Sequence, residues 1–411
     1  MKINRIILIQ SVSIALFLSL ITSCKKEEPG KNYSYFVSKK FVEELNQGVI
    51  NSLISVASGS LPELNNIKPF ITSDVDVYKL VYKTTVNGSQ INASGLICVP
   101  ATSGDYPVLS FQNGTNTLNA DAPSNNPVNF NYQLIEFIAS MGYVVLIADY
   151  PGFGESSQIP HPYLITQPTV RSLVDMLYTA REIGGSEFPG ISFKNEYYLL
   201  GYSQGGWATL ALDKAIEQDY NSDFNLKGSS CGAGPYNILQ LLEGIANKPT
   251  YPMPVYFAYI LNAYIAYNQF TNPVSDIFNE PYASRVNSLF TGLLTSDQIN
   301  NQLTTSVSGL INPDFISGFS ASSKYSMVRD ALNNNSITAW HSYKPVLLTH
   351  GGSDTQVDPV STENMYNAMI QAGTSTDLCK KVIVPNVDHG AGAVPCIIEG
   401  ILFLNNLKNS R

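Results

Sequence analysis

The chain has 411 residues, 44% of them hydrophobic, and a formal net charge of −8 with no block of basic residues. That balance argues against a nucleic-acid partner, which would need a basic stripe, and no low-complexity tract or 20–50-residue period points to a disordered or repeat architecture. The length exceeds the roughly 250–300 residues at which a single core stops growing, so one large domain carrying an insertion is expected.

Lys2 and Arg5 precede an apolar run from Ile6 to Ile21, and the small residues Thr22 and Ser23 lead into Cys24. A positive start, a short apolar core and a small-residue exit describe a secretory signal over residues 1–23. The run falls short of the roughly 20 residues a bilayer core requires. Leu20-Ile21-Thr22-Ser23-Cys24 resembles the lipobox of bacterial lipoproteins. The resemblance implies cleavage before Cys24, acylation of that cysteine, and a lipid-anchored place in a bacterial cell envelope, at the outer membrane. More than one acyl chain gives stable anchoring. Residues 24–35 lack apolar periodicity and read as a tether.

The core begins at residue 36. Phe41, Val42, Leu45, Val49, Ile50, Leu53 and Ile54 show helical spacing over 36–58. Two alternating runs follow, Val75–Lys83 and Ile91–Pro100, joined through Asn87-Gly88, a strong hairpin signal. From Val108 the pattern changes. Short apolar runs (Val108–Phe111, Val144–Ala148, Tyr197–Leu200, Phe224–Cys231, Pro345–Leu348, Val382–Val384) alternate with helical stretches. That alternation predicts an α/β fold with a mostly parallel sheet flanked by helices. Residues 236–335 break the rhythm between the sixth and seventh predicted strands. The core therefore divides into 36–235 and 336–411, with 236–335 as a mainly helical cap insertion. Its aromatic stretch, Tyr251 to Phe270, has two readings: a lid that binds acyl chains, or packing of the insertion onto the main domain.

Chemistry concentrates at Tyr197-Tyr198-Leu199-Leu200-Gly201-Tyr202-Ser203-Gln204-Gly205-Gly206. An apolar strand runs into G-x-S-x-G and a helix continues behind it. This is the pattern of a nucleophile elbow, a tight turn that lifts the serine hydroxyl out of the sheet. A second match, Gly228-Ser229-Ser230-Cys231-Gly232, is followed by Gly234-Pro235. No helix can start directly behind Ser230, so Ser203 is the predicted nucleophile.

A serine hydroxyl needs a base to take its proton, and at such an elbow the partners follow in the order Ser, acid, His. Of the four histidines, His161 precedes Ser203, and His341 and His350 precede the candidate acid. His389 follows the last predicted strand and is the expected base. Asp354, in the loop after Pro345–Leu348, is the expected acid, holding the imidazole in the correct tautomer. Asp358, beside Pro359, better suits a helix start, and Asp388 suits a turn. Two donors should face the oxyanion: the N–H of Gln204 and one from the Gln112–Asn116 loop, from Gly114 or Thr115.

Apart from Cys24, four cysteines remain. Export permits disulfides. Cys379 and Cys396 flank His389, so a bridge between them would pin that loop; four buried thiols is the other reading. Neither metal-ligand spacing nor a dinucleotide-binding glycine motif occurs, so no metal and no cofactor are expected.

From about Val75 to Leu407 the chain resembles an α/β-hydrolase. More narrowly it resembles the microbial secretory lipase family, on the Gln112–Thr115 loop, Asp149-Tyr150-Pro151-Gly152-Phe153-Gly154, His161-Pro162-Tyr163-Leu164, the Ser203 elbow, the Gly351–Pro359 loop and His389. Asn113 stands where hydrolases commonly carry His. The resemblance implies hydrolysis of lipid or other carboxylic esters through an acyl-enzyme, with a cap between the sixth and seventh strands. A serine peptidase of the same fold and a non-catalytic surface-binding protein are the competing readings.

Overall fold

The computed structural model describes residues 32–410. The signal, the lipobox and Cys24 lie outside the described residues. Nine strands form one sheet in the order β1-β2-β3-β5-β4-β6-β7-β8-β9. At one edge β1 (Phe36–Leu45), β2 (Val75–Val86) and β3 (Ser89–Pro100) run antiparallel. Asn87 and Gly88 take φ of 49° and 76° between β2 and β3, the left-handed pair that a two-residue hairpin turn requires.

Strand β1 departs from the sequence expectation, which treats 36–58 as one helix. Only Gln47–Ala57 is helical (α1). The pairing of β1 with β2 shifts register between Phe36 and Ser38 and again between Phe41 and Glu43. Each irregularity interrupts the two-residue alternation of a strand, and the apolar positions then mimic a helical period. Lys39 and Lys40 place charge on this outer strand, a common protection for an open edge.

The remaining strands are β4 (Gly104–Gln112), β5 (Val144–Ala148), β6 (Ile191–Tyr202), β7 (Leu226–Gly232), β8 (Val346–Gly351) and β9 (Cys379–Val384). From β5 through β9 neighbouring strands are parallel. They are covered on both faces, which is why β5 reads as an unbroken apolar run with every residue buried. The flanking helices are α2 (Phe130–Glu136), α3 (Thr166–Ile183) and α4 (Gln204–Asp219). The fold is that of an α/β-hydrolase.

Between β7 and β8 lie seven helices: α5 (Ile238–Ala246), α6 (Pro254–Ala266), α7 (Tyr282–Leu289), α8 (Ser296–Asn300), α9 (Val307–Leu310), α10 (Pro313–Gly318) and α11 (Ser326–Asn335). The added edge strand β1 moves the insertion one place along the strand count. Its aromatic residues are buried and fasten it to the core. The hydroxyls of Tyr251, Tyr264 and Tyr267 donate to the carbonyls of Gln356, Leu164 and Pro160 at 3.1, 3.0 and 2.7 Å. Helices α12 (Val360–Gln371) and α13 (Ala393–Asn409) complete the layers.

Of the two readings of the cysteines, the Cys379–Cys396 bridge does not form and the buried thiols are found. Cys98, Cys231, Cys379 and Cys396 are free and buried. Burial raises all four thiols, those of Cys379 and Cys396 to about 12. Among the described residues no helix is long and apolar enough to cross a membrane.

Candidate active site

Three loops converge at the carboxyl edge of the parallel strands, where open α/β sheets place their ligands. The first is the junction of β6 with α4. Ser203 takes φ 61° and ψ −122° there, a conformation L-residues rarely adopt and one that surrounding packing must hold. Glycines make that packing possible. A Cβ on Gly205 would sit 1.8 Å from the carbonyl oxygen of Gln112, and one on Gly206 would sit 2.1 Å from that of Gly232. The rejected Gly228–Gly232 match lies wholly inside β7, with Ser230 buried.

The second loop follows β8 and carries Asp354; the third follows β9 and carries His389. Backbone bonds clip them together, from Gly352 N to Val384 O (2.7 Å) and from Ser353 N to Val387 O (2.9 Å). His389 Nε2 stands 2.8 Å from Ser203 Oγ, and His389 Nδ1 stands 2.5 Å from Asp354 Oδ2. Asp354 is 4% exposed and His389 6%, whereas Ser203 stays partly open. The Tyr202 hydroxyl donates to the His389 carbonyl at 2.7 Å and supports the base loop from below.

Burial acts to raise the Asp354 carboxyl. Hydrogen bonds from His350 and His389, and from the Val357 N–H, outweigh it and hold the carboxyl well below the usual carboxylate range. Its Oδ1 accepts from Gln356 N and Val357 N at 2.9 and 3.0 Å. His350 escapes sequence reasoning, which weighs histidines only as bases. Its ring is fully buried, with Nε2 2.9 Å from Val357 O and 3.2 Å from Asp354 Oδ2, and Nδ1 2.8 Å from Thr362 Oγ1. A carbonyl only accepts, so Nε2 carries the proton and Nδ1 accepts from the threonine.

The rival carboxylates stand elsewhere. Asp358 Oδ1 accepts from Val360 N at 3.0 Å, at the start of α12, and Asp388 Oδ1 accepts from Ala391 N at 2.8 Å within its turn. Gly114 lies against the elbow, its Cβ position 3.6 Å from Tyr202 O and 3.9 Å from Ser203 Cβ. Among the described residues the N–H groups of Gln204, Gly114 and Thr115 meet no protein acceptor.

Residues 123–394, well over half of the chain, match the model of a family described as secretory lipase (LIP). The chain belongs to the secretory lipase family. Membership makes it a secreted carboxylic ester hydrolase. Among solved structures, the secretory lipase chain is similar to the rice cell wall degrading esterase LipA of Xanthomonas oryzae. That match has 24% identity and a TM-score of 0.78, covering 92% of this chain and 99% of the other. A Legionella pneumophila protein matches at 24% identity and TM-score 0.82, covering 91% and 98%. Candida antarctica lipase A matches at 13% and 0.66, covering 91% and 82%. At such identities these likenesses speak for the fold. No curated protein matches the chain.

The motifs that carry the secretory lipase resemblance brace the Gln112–Asn116 loop. The Tyr150 hydroxyl donates to Asn113 O at 3.1 Å, and the Tyr163 hydroxyl pairs with Thr115 Oγ1 at 2.7 Å. His161 sits out of chain order for a base and acts as a strut. Its Nδ1 lies 2.8 Å from Pro151 O, and its Nε2 lies 2.8 Å from the Gln204 side-chain amide nitrogen. Burial lowers this imidazole to about 4, so it stays neutral. Gly152 is required beside it, since a Cβ there would meet His161 Cα at 2.5 Å. Asp149 is buried, with Oδ1 accepting from Ser124 N at 2.8 Å, and so anchors the turn structurally.

Proposed function

We propose that Ser203, His389 and Asp354 form the catalytic triad of this secretory lipase family member and that ester cleavage proceeds through an acyl-enzyme. The observation that carries the reading is the hydrogen-bonded chain Ser203 Oγ–His389 Nε2–Asp354 Oδ2, with steps of 2.8 and 2.5 Å. Ser203 Oγ attacks the ester carbonyl carbon while its proton passes to His389 Nε2. The tetrahedral intermediate collapses, the carbon–oxygen bond to the alcohol breaks, and His389 returns the proton to the departing oxygen. Water then attacks the acyl-enzyme, giving its proton to His389, and Ser203 Oγ leaves and recovers it. Asp354 stays ionised, holds the Nδ1–H tautomer and stabilises the imidazolium.

The N–H groups of Gln204 and of Gly114 or Thr115 receive the developing oxyanion; their freedom from protein acceptors supports this role. The 236–335 insertion acts as a cap over the catalytic edge. Acylation of Cys24 holds the enzyme at the outer membrane of a bacterial cell envelope, facing lipid or other carboxylic ester substrates.

A fluorophosphonate probe and p-nitrophenyl butyrate test the assignment together. Wild type labels at Ser203 and turns over, whereas Ser203→Ala does neither. Residual labelling and turnover in the alanine variant would overturn the assignment, as would turnover of dipeptidyl amides in place of esters.

A further inference from the structure

A largely apolar cavity of about 360 Å³, with Asn113, Thr115, Asn129 and Asn131 among its lining residues, lies beside the elbow. Its lining includes Gly114, Tyr202 and Gly390, which belong to or adjoin the proposed oxyanion loop, the proposed nucleophile and the proposed base. Its walls descend between α2 and α13 and are made by Leu64, Ile67, Leu134, Ile135, Ile398 and Ile401. All six are buried. Along α13 the lining runs from Ala393 to Ile401, about 12 Å at the 1.5 Å rise of a helix. Val128 and Phe130, 63% and 37% exposed, flank the rim residue Asn129 and extend the apolar surface outward.

From this geometry we infer that the cavity between α2 and α13, rather than the cap, binds the acyl chain of a medium-chain ester. The inference rests on the triad reading given above. Two observations set the occupant. The crevice beneath the insertion, lined by Gly152, His161, Tyr259 and Asn262 among others, includes no residue of the elbow, of the Gln112–Asn116 loop or of the His389 loop, whereas the α2–α13 cavity includes Gly114, Tyr202 and Gly390. The acyl group also remains on Ser203 after the alcohol departs. An apolar recess beside the elbow therefore suits it better than the leaving group, which must exit to let water in. Cavities of this size, mostly apolar with a few polar groups at one end, are typical of small-ligand sites.

The test is the acyl-length profile of kcat/KM on p-nitrophenyl acetate, butyrate, hexanoate, octanoate and decanoate, in which only the acyl side varies. Wild type should gain about fourfold per methylene that enters the recess and then level off. Ile397→Trp, which fills the recess from α13, should lower the octanoate-to-butyrate ratio at least tenfold. Ile397→Ala, which creates room, should move the plateau to longer chains. Ile265→Trp, beneath the insertion, should leave the ratio as in wild type. A ratio moved by Ile265→Trp and by neither Ile397 variant overturns the inference in favour of the cap. A dependence on the alkyl length of acetate esters that Ile397→Trp abolishes assigns the recess to the alcohol and also overturns it. Both outcomes stand apart from failure of the triad, which Ser203→Ala reports on its own.

Discussion

His350 Nε2 lies 3.2 Å from Asp354 Oδ2, the same oxygen that faces His389 Nδ1. The carboxylate proposed for the triad is thus clamped between two imidazoles, one beside Ser203 and one sealed in the core. In the proposed triad His350 is a positioning residue, since it reaches Ser203 only through Asp354 and His389. Replacing it with Phe should lower kcat about tenfold to a hundredfold with KM little changed, because chemistry and not binding loses its alignment. His350→Gln keeps a donor and should recover part of the loss. A kcat unchanged in His350→Phe would remove the clamp from the mechanism.

Asp354 and Asp358 sit in one loop with different duties. Asp354→Asn presents an amide to His389 Nδ1 and favours the wrong tautomer, so kcat should fall by about 10³–10⁴. Asp358→Asn should leave kcat within about twofold, and Asp358→Ala should cost no more than about 1 kcal/mol of stability through the lost hydrogen bond from Val360 N. Stability against pH separates them further. The Asp354 carboxyl is held below its ordinary range, so its stabilising share is present above the unfolded value near pH 4 and is lost as pH falls below it. Urea midpoints of wild type and Asp354→Asn should therefore differ by a constant above about pH 5 and converge in stronger acid.

Glu136 on α2 is fully buried, and among the described residues neither carboxyl oxygen has a hydrogen-bond partner. Burial, with the nearby charge of Glu43, pushes it up to about 9. The folded protein keeps a proton that the unfolded chain releases above about pH 4.5, so this group lowers stability progressively between pH 4.5 and 9. Glu136→Gln should flatten that slope and raise stability at pH 8 by about 1–3 kcal/mol. Denaturant midpoints at pH 5, 7 and 9 measure it.

Glycine positions give a contrast in one experiment. Gly205→Ala drives a methyl into the Gln112 backbone and should abolish both folding of the elbow and activity. Gly244, within α5, has nothing within 4 Å of its Cβ position. Gly244→Ala should stabilise by about 0.5–1 kcal/mol with kcat unchanged, read by thermal melting.

The four core thiols should resist iodoacetamide at pH 8 in the native state and react after unfolding. Peptide mapping at Cys98, Cys231, Cys379 and Cys396 reads this directly. Native labelling of Cys396 would contradict its burial.

The elbow and the order of Ser203, Asp354 and His389 are legible in sequence because their constraints are local. A strand, a glycine-lined turn and a helix follow one another within a dozen positions, and each loop trails a recognisable strand. Strand β1 is less legible, since its two register shifts conceal the alternation that marks a strand. The struts are not legible at all. Tyr150 meets Asn113, Tyr163 meets Thr115 and His161 meets Gln204 only after chain segments far apart are folded together. His350 shows a further gap, because reasoning by chain order selects a proton acceptor and passes over a residue that orients one. The cysteine spacing around His389 likewise suits a bridge in one dimension, while the packing leaves both sulfurs reduced.

The hydroxyl of Tyr202 ties the carbonyl of His389 to the residue just before Ser203. The proposed nucleophile and base thereby ride on a common mechanical footing, so that a jolt to the elbow is passed to the loop that carries His389.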